Sequence, residues 1–114
     1  LLDKLSISKG QIINISSMGG VNYSSKFPGL SLYSSSKGAL TILSECLAEE
    51  LKPYGIRVNA LALGAVQTEM LNKAFPGYKA NISPEEMAQY IINFVSSGGN
   101  IMNGQVLKVT NSNP

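Results

Sequence analysis

Tyr33 and Lys37 stand four residues apart in LYSSSKGAL (32–40), at the head of an amphipathic run. On a helix that spacing sets both side chains on one face, one turn apart. A free phenol ionises at a pH of about 10, so a lone tyrosine is a poor acid or base at neutrality. An ammonium one turn away favours the phenolate form. A tyrosine so tuned can hand a proton to a carbonyl oxygen as hydride arrives at carbon, or remove it in reverse. Ser17, which closes QIINISS (11–17), brings a hydroxyl able to hold the same oxygen by a hydrogen bond. Taken by itself the pair also has a plainer explanation, in which Tyr33 packs a loop and Lys37 is a solvated surface cation.

The elements that must position these groups are readable from pattern. LLDKLSISKG (1–10) has the form of a helix end stopped at Gly10, and QIINISS is a β-branched run of strand length. MGGVNYSSKFPGLS (18–31) has loop composition. From residue 32 a helix is expected, with a core stripe of Leu40, Leu43, Leu47 and Leu51, widened by Ile42 and Cys46 and ended by Pro53 and Gly55. IRVNALAL (56–63) reads as a second strand and GQVLKVT (104–110) as a third. Before the third, SPEEMAQYIINFVSS (83–97) opens with Ser83, Pro84 and Glu86 in the order of a capping box. Strands alternating with helices imply parallel strands with helical crossovers. An apolar strand such as QIINI suits a sheet covered on both faces. Ligands in such sheets bind where loops leave the carboxyl ends of strands. Here those loops are SSMGG (16–20) and LGAVQT (63–68).

Composition narrows the rest. The 114 residues are 44% hydrophobic and 14% charged with a net charge of +2, which describes one globular unit. Eight lysines and one arginine are scattered, with no basic stripe for nucleic acid. The single cysteine, Cys46, excludes an internal disulfide, reads as a small buried side chain and suits a reducing cytoplasm. With no histidine and one cysteine, a transition-metal site is not expected, and no apolar run is long enough for a membrane span.

INISS, YSSSK and GIRVNALALGAVQT occur in one chain in that order. Together they resemble the C-terminal half of the short-chain dehydrogenase/reductase family, over essentially the whole chain. The resemblance implies an α/β fold, the C-terminal half of a Rossmann-like doubly wound parallel sheet with three parallel strands. Residues 1–114 would then be the C-terminal part of a single NAD(P)-binding domain. It implies catalytic roles for Ser17, Tyr33 and Lys37, with Tyr33 the acid/base and Lys37 also binding the nicotinamide ribose hydroxyls. The family's active serine is usually the second of such a pair, so Ser17 is preferred to Ser16, and strand parity agrees by grouping Ser17 with Ile13 and Ile15. Gly64, Val66 and Thr68 match the segment that holds the nicotinamide carboxamide, and Ile15 a position beside the ring. Each has a structural alternative: Gly64 a simple turn, Val66 and Ile15 core, Thr68 an N-cap for EMLNKAF. Ser17, Met18, Gly19 and Tyr33 would meet a small carbonyl or alcohol substrate. The implied cofactor is NAD or NADP. The helix 33–52 would join copies of the chain into a homo-oligomer.

The departures from the family pattern are specific. Leu63 stands where a proline is common, which implies a less rigid loop. The stretch from Ser17 to Tyr33 is about three residues longer than usual, so VNYSSKFPG is expected to bulge over the substrate. The pocket is expected to be built from SSMGG, the 18–31 loop and the 65–82 connection, with Phe75 and Tyr78 either lid aromatics or surface anchors. The family's glycine-rich pyrophosphate turn is not found in these residues. Nor is the asparagine of its catalytic tetrad, for which Asn14 is no substitute. The chain alone is therefore expected to be inactive, with QIINI lacking an inner neighbour. Two other readings remain open: a non-catalytic module that self-associates, and a dehydratase or epimerase using the same tyrosine and lysine.

Overall fold

A computed structural model describes residues 1–111. Helix α1 (Leu2–Ser8) leads into strand β1 (Gln11–Ser17), and a short 3-10 turn, Met18–Gly20, follows it. Helix α2 (Ser31–Glu50) then returns the chain to strand β2 (Arg57–Leu63). Helices α3 (Glu69–Ala74) and α4 (Pro84–Asn93) precede strand β3 (Val106–Val109). The three strands are parallel in the order β1-β2-β3, with Ser17 beside Leu63 and Leu63 beside Val109. This is the α/β sheet with helical crossovers that the pattern implies.

Among the described residues only β2 has a strand on each side, and its five inner residues, Val58–Ala62, are buried. Among the same residues β1 is an edge strand, as expected of QIINI without an inner neighbour, and its Ile15 is 39% exposed. Leu63 is the last residue of β2, in register with both neighbours, and the Gly64 N–H continues the ladder to the Val109 carbonyl at 2.9 Å. Leu63 therefore carries regular strand pairing up to Gly64, where a looser loop was expected. Helix α1 ends one residue earlier than its glycine suggests, with Lys9 itself in the left-handed region (φ 49°).

The largest difference concerns α2. Its buried residues are Thr41, Ser44 and Ala48, while Leu43 is 50% and Ile42 60% exposed. Cys46 is exposed too, contrary to its reading as a buried side chain. Small and hydroxyl side chains face β1 because the helix is tied to that strand by hydrogen bonds. Asn14 Nδ2 donates to Ser44 Oγ (2.8 Å), and Ser16 Oγ meets Thr41 Oγ1 (2.9 Å) and the Lys37 carbonyl (3.0 Å). Ala48 packs with Ile56 and Val58, and Leu47 and Leu51 lie at the edge of that cluster. The leucine periodicity locates the helix correctly and misplaces its buried face.

Ser83 caps α4 in the full reciprocal box with Glu86, as the sequence predicts. Beyond Asn93 the helix widens into one π-type turn, Phe94–Gly98, which lets Phe94 turn inward and pack against Gly99. No helix of the described residues is long and apolar enough to cross a membrane.

Candidate active site

The carboxyl ends of β1 and β2 open into a cavity of about 560 Å³. All nine residues singled out from the sequence line it: Ser17, Tyr33 and Lys37, then Met18 and Gly19, then Ile15, Gly64, Val66 and Thr68.

Tyr33 lies in the first turn of α2 and is 38% exposed. Lys37 follows one helical turn later, with its Nζ 5.9 Å from the centre of the Tyr33 ring. The ammonium donates to the Ile15 carbonyl at 3.1 Å, which ties it back to β1 two residues before Ser17. One of its three N–H groups is thereby used, and the other two are available to a ligand. Ser16 and Ser17 divide their work by strand parity. Ser16 is 3% exposed and its hydroxyl is engaged by α2. Ser17 Oγ accepts the Gly19 N–H at 3.1 Å and so keeps its own proton to donate.

Two glycines of the turn after β1 lie against α2 beside serine and tyrosine. A Cβ added at Gly19 would press on Ser34 Oγ at 3.1 Å and reach ordinary contact with Ser17 Oγ (3.6 Å) and Tyr33 Cε1 (3.9 Å), so it would take up space beside both side chains. At Gly20 the same atom would come within 2.6 Å of the Gly38 nitrogen and of the Lys37 carbonyl carbon. The turn rests directly on the backbone of α2 beside Lys37. The packing requirement at Gly20 does not show in the sequence, because it comes from neighbours 17 and 18 residues away.

Gly64 is required for a similar reason and not as a simple turn, since a Cβ there would collide with the Thr110 side chain. Thr68 does act as the N-cap of α3, with Oγ1 accepting the Leu71 N–H at 3.2 Å. That leaves the hydroxyl proton free for a second partner on the cavity side. Gln67 staples the connection after β2: its Oε1 accepts the Ala80 N–H (2.7 Å), and its N–H donates to the Ile82 carbonyl (2.9 Å).

The walls differ in part from expectation. Phe75 lines the cavity and meets Phe27 of the 18–31 loop edge to face, with ring centres 5.1 Å apart. Tyr78 instead closes a turn onto the Phe75 carbonyl (3.1 Å). Helix α4 supplies a fourth wall through Pro84, Met87, Ala88 and Ile91. Their three- and four-residue spacing is visible in the sequence, but the same spacing marks any buried helix face.

For a nicotinamide cofactor, this donor set fits the nicotinamide–ribose end. Lys37 has two free N–H groups for ribose hydroxyls, Thr68 a free hydroxyl, and Ile15 and Val66 offer apolar surface for a ring.

Residues 1–79 match the family model described as short chain dehydrogenase. The chain is 33% identical over 128 residues to L-2,3-butanediol dehydrogenase of Corynebacterium glutamicum, which covers 94% of this chain and 48% of that protein. Among solved structures, it is similar to a 3-oxoacyl-(acyl-carrier protein) reductase with bound NAD from Brucella melitensis. That match has a TM-score of 0.71 and 30% identity, and covers 96% of this chain and 43% of the other. ElxO with NADP bound matches with a TM-score of 0.74 and 29% identity, covering 95% and 48%. The chain spans less than half the length of the curated relatives it matches.

Proposed function

Since the chain belongs to the short-chain dehydrogenase/reductase family, we propose that it carries the catalytic half of an NAD(P)-dependent oxidoreductase acting on a carbonyl or alcohol. Residues 1–114 would be the C-terminal part of a single NAD(P)-binding domain. The observation that carries this reading is the convergence of Ser17, Tyr33 and Lys37 on one cavity, with the ammonium 5.9 Å from the phenol ring.

When bound, the nicotinamide supplies or accepts the hydride. Every other task falls to this chain. Tyr33 Oη gives its proton to the substrate oxygen in reduction and recovers it in oxidation. Ser17 Oγ donates a hydrogen bond to that oxygen, holding it beside the phenol as charge develops. Lys37 stabilises the phenolate left behind, and its remaining N–H groups hold ribose hydroxyls. Ile15 flanks the ring, and Gly64, Thr68 and the backbone of Val66 hold the carboxamide. Met18 and Gly19 border the substrate next to Ser17.

Lys37→Met tests the assignment, since it keeps the aliphatic stem and removes the charge. In NAD(P)H oxidation with a ketone, kcat/KM is expected to fall by roughly a hundredfold, with both kcat and cofactor KM affected. An effect on neither parameter would reduce Lys37 to a surface cation.

We further propose a homo-oligomer joined through α2, in a cytoplasmic protein whose exposed Cys46 thiol stays reduced. Support comes from the outward edge of α2, where Leu32 is 86% exposed and Ile42 and Leu43 are half-exposed or more. Ile42→Glu is expected to weaken self-association by about a hundredfold or more in sedimentation equilibrium, because it buries an unpaired charge in the joint. An unchanged oligomer would place the interface elsewhere.

A further inference from the structure

The cavity described above is lined unevenly, and the unevenness bears on what it admits. Its available polar groups come from β1, the first turns of α2 and Thr68: the Ser17 and Thr68 hydroxyls, the Tyr33 phenol and the Lys37 ammonium. Ser34, also in the first turn of α2, and Ser25, on the loop 18–31, add one hydroxyl each, while two further hydroxyls are engaged. Ser24 Oγ donates to the Met18 and Val21 carbonyls and receives Lys26 Nζ, and Ser16 is bonded to α2. Apart from Ser24 and Ser25, the loop 18–31, α3 and its end, and α4 contribute apolar surface, through Phe27, Leu30, Leu71, Phe75, Met87 and Ile91. Among the described residues lining the cavity, Lys37 carries the one charge, and it is anchored to the Ile15 carbonyl. The Phe27–Phe75 contact, at 5.1 Å and 74°, joins two segments 48 residues apart in the chain. It links the loop after β1 to the connection after β2 over that apolar surface.

We infer that the site selects neutral carbonyl or alcohol substrates with an extended apolar body, and that the Phe27–Phe75 pair sets the length accepted. This rests on the oxidoreductase reading above. The reacting oxygen goes to Ser17 and Tyr33, and the body lies against the aromatic pair and α4. A carboxylate or ammonium at the far end of the body would lose its water and meet no partner there. Each methylene buried against this wall adds about fourfold to affinity, and the aromatic pair adds selectivity by its fixed geometry.

The test uses the full-length protein, a series of straight-chain methyl ketones, and the same ketones ending in a carboxylate, with NADH and NADPH consumption as readout. The expected result is a kcat/KM that climbs about fourfold per methylene until the cavity is filled. Each carboxylate-ended ketone is expected to fall tenfold or more below its methyl-ended counterpart. Phe27→Ala is expected to narrow the ratio between the longest and shortest ketones by about tenfold, and Phe27→Leu to restore most of that ratio. If ketones turn over with no dependence on length, or the carboxylates are preferred, this inference is wrong and the oxidoreductase reading stands. A ratio unmoved by Phe27→Ala removes the aromatic pair as the length gauge. No NAD(P)H consumption with any ketone would defeat the oxidoreductase reading and this inference together.

Discussion

Tyr33→Phe in the full-length protein should lower kcat for NAD(P)H-dependent carbonyl reduction by roughly 10²–10⁴-fold. Cofactor affinity should change by no more than about threefold. The substitution removes one oxygen and keeps the ring that borders Gly19 and faces the Lys37 ammonium. Lys37 stays tethered to the Ile15 carbonyl whether or not the phenol is present, so the ribose-binding group keeps its place. What disappears is the proton that must reach the substrate oxygen, and Ser17 cannot replace it. Its hydroxyl, which already accepts from Gly19, can donate a hydrogen bond without serving as a proton source at neutral pH. Steady-state rates together with a fluorescence titration of NAD(P)H separate the two effects. Turnover near the wild-type rate would remove Tyr33 from the chemistry. A matching loss of cofactor affinity would recast it as a binding residue.

The order of elements and the composition of the cavity were legible in the sequence for a physical reason. Strand β1 shows its β-branched run, α4 its capping box, and the cavity residues sit at the carboxyl ends of two strands, where parallel topology brings loops together. Such signals are local, or follow from topology alone. The buried face of α2 was not legible, because apolar periodicity reports where leucines lie and not how near the helix comes to its sheet. Thr41 and Ser44 are hidden because Ser16 and Asn14 bond to them across a short gap, and that pairing spans 25 to 30 residues. The α4 wall was not foreseen, because a helix face lining a cavity and one filling a core have the same spacing. The close packing at Gly20 and Gly64 was not legible either, because it depends on what stands opposite.

That dependence makes the two facing glycines, Gly20 and Gly38, an unusually discriminating pair to substitute. Gly20→Ala places a methyl 2.6 Å from two backbone atoms of α2, and 2.8 Å from Lys37 Cβ. Backbone cannot rotate aside as a side chain does, so the turn after β1 must lift away from the helix. Overpacking of this kind costs about 1–3 kcal/mol, read as a lower denaturant midpoint at unchanged slope. Because the displaced turn begins at Ser17 and the resisting helix carries Tyr33 and Lys37, the proposed catalytic groups separate as well. A misplacement of about 1 Å at a reacting centre can cost roughly a hundredfold in rate. Gly38→Ala should behave in the opposite way, although it lies on the other side of the same contact. Its added methyl would meet only the Gly20 carbonyl oxygen, at an ordinary 3.5 Å. Within α2, replacing glycine by alanine favours the helix by about 1 kcal/mol. The expected outcome is therefore a destabilised, slow Gly20→Ala enzyme beside a Gly38→Ala enzyme at least as stable as the wild type. Equal behaviour of the two variants would show that the contact between the turn and α2 is not what holds serine, tyrosine and lysine in register.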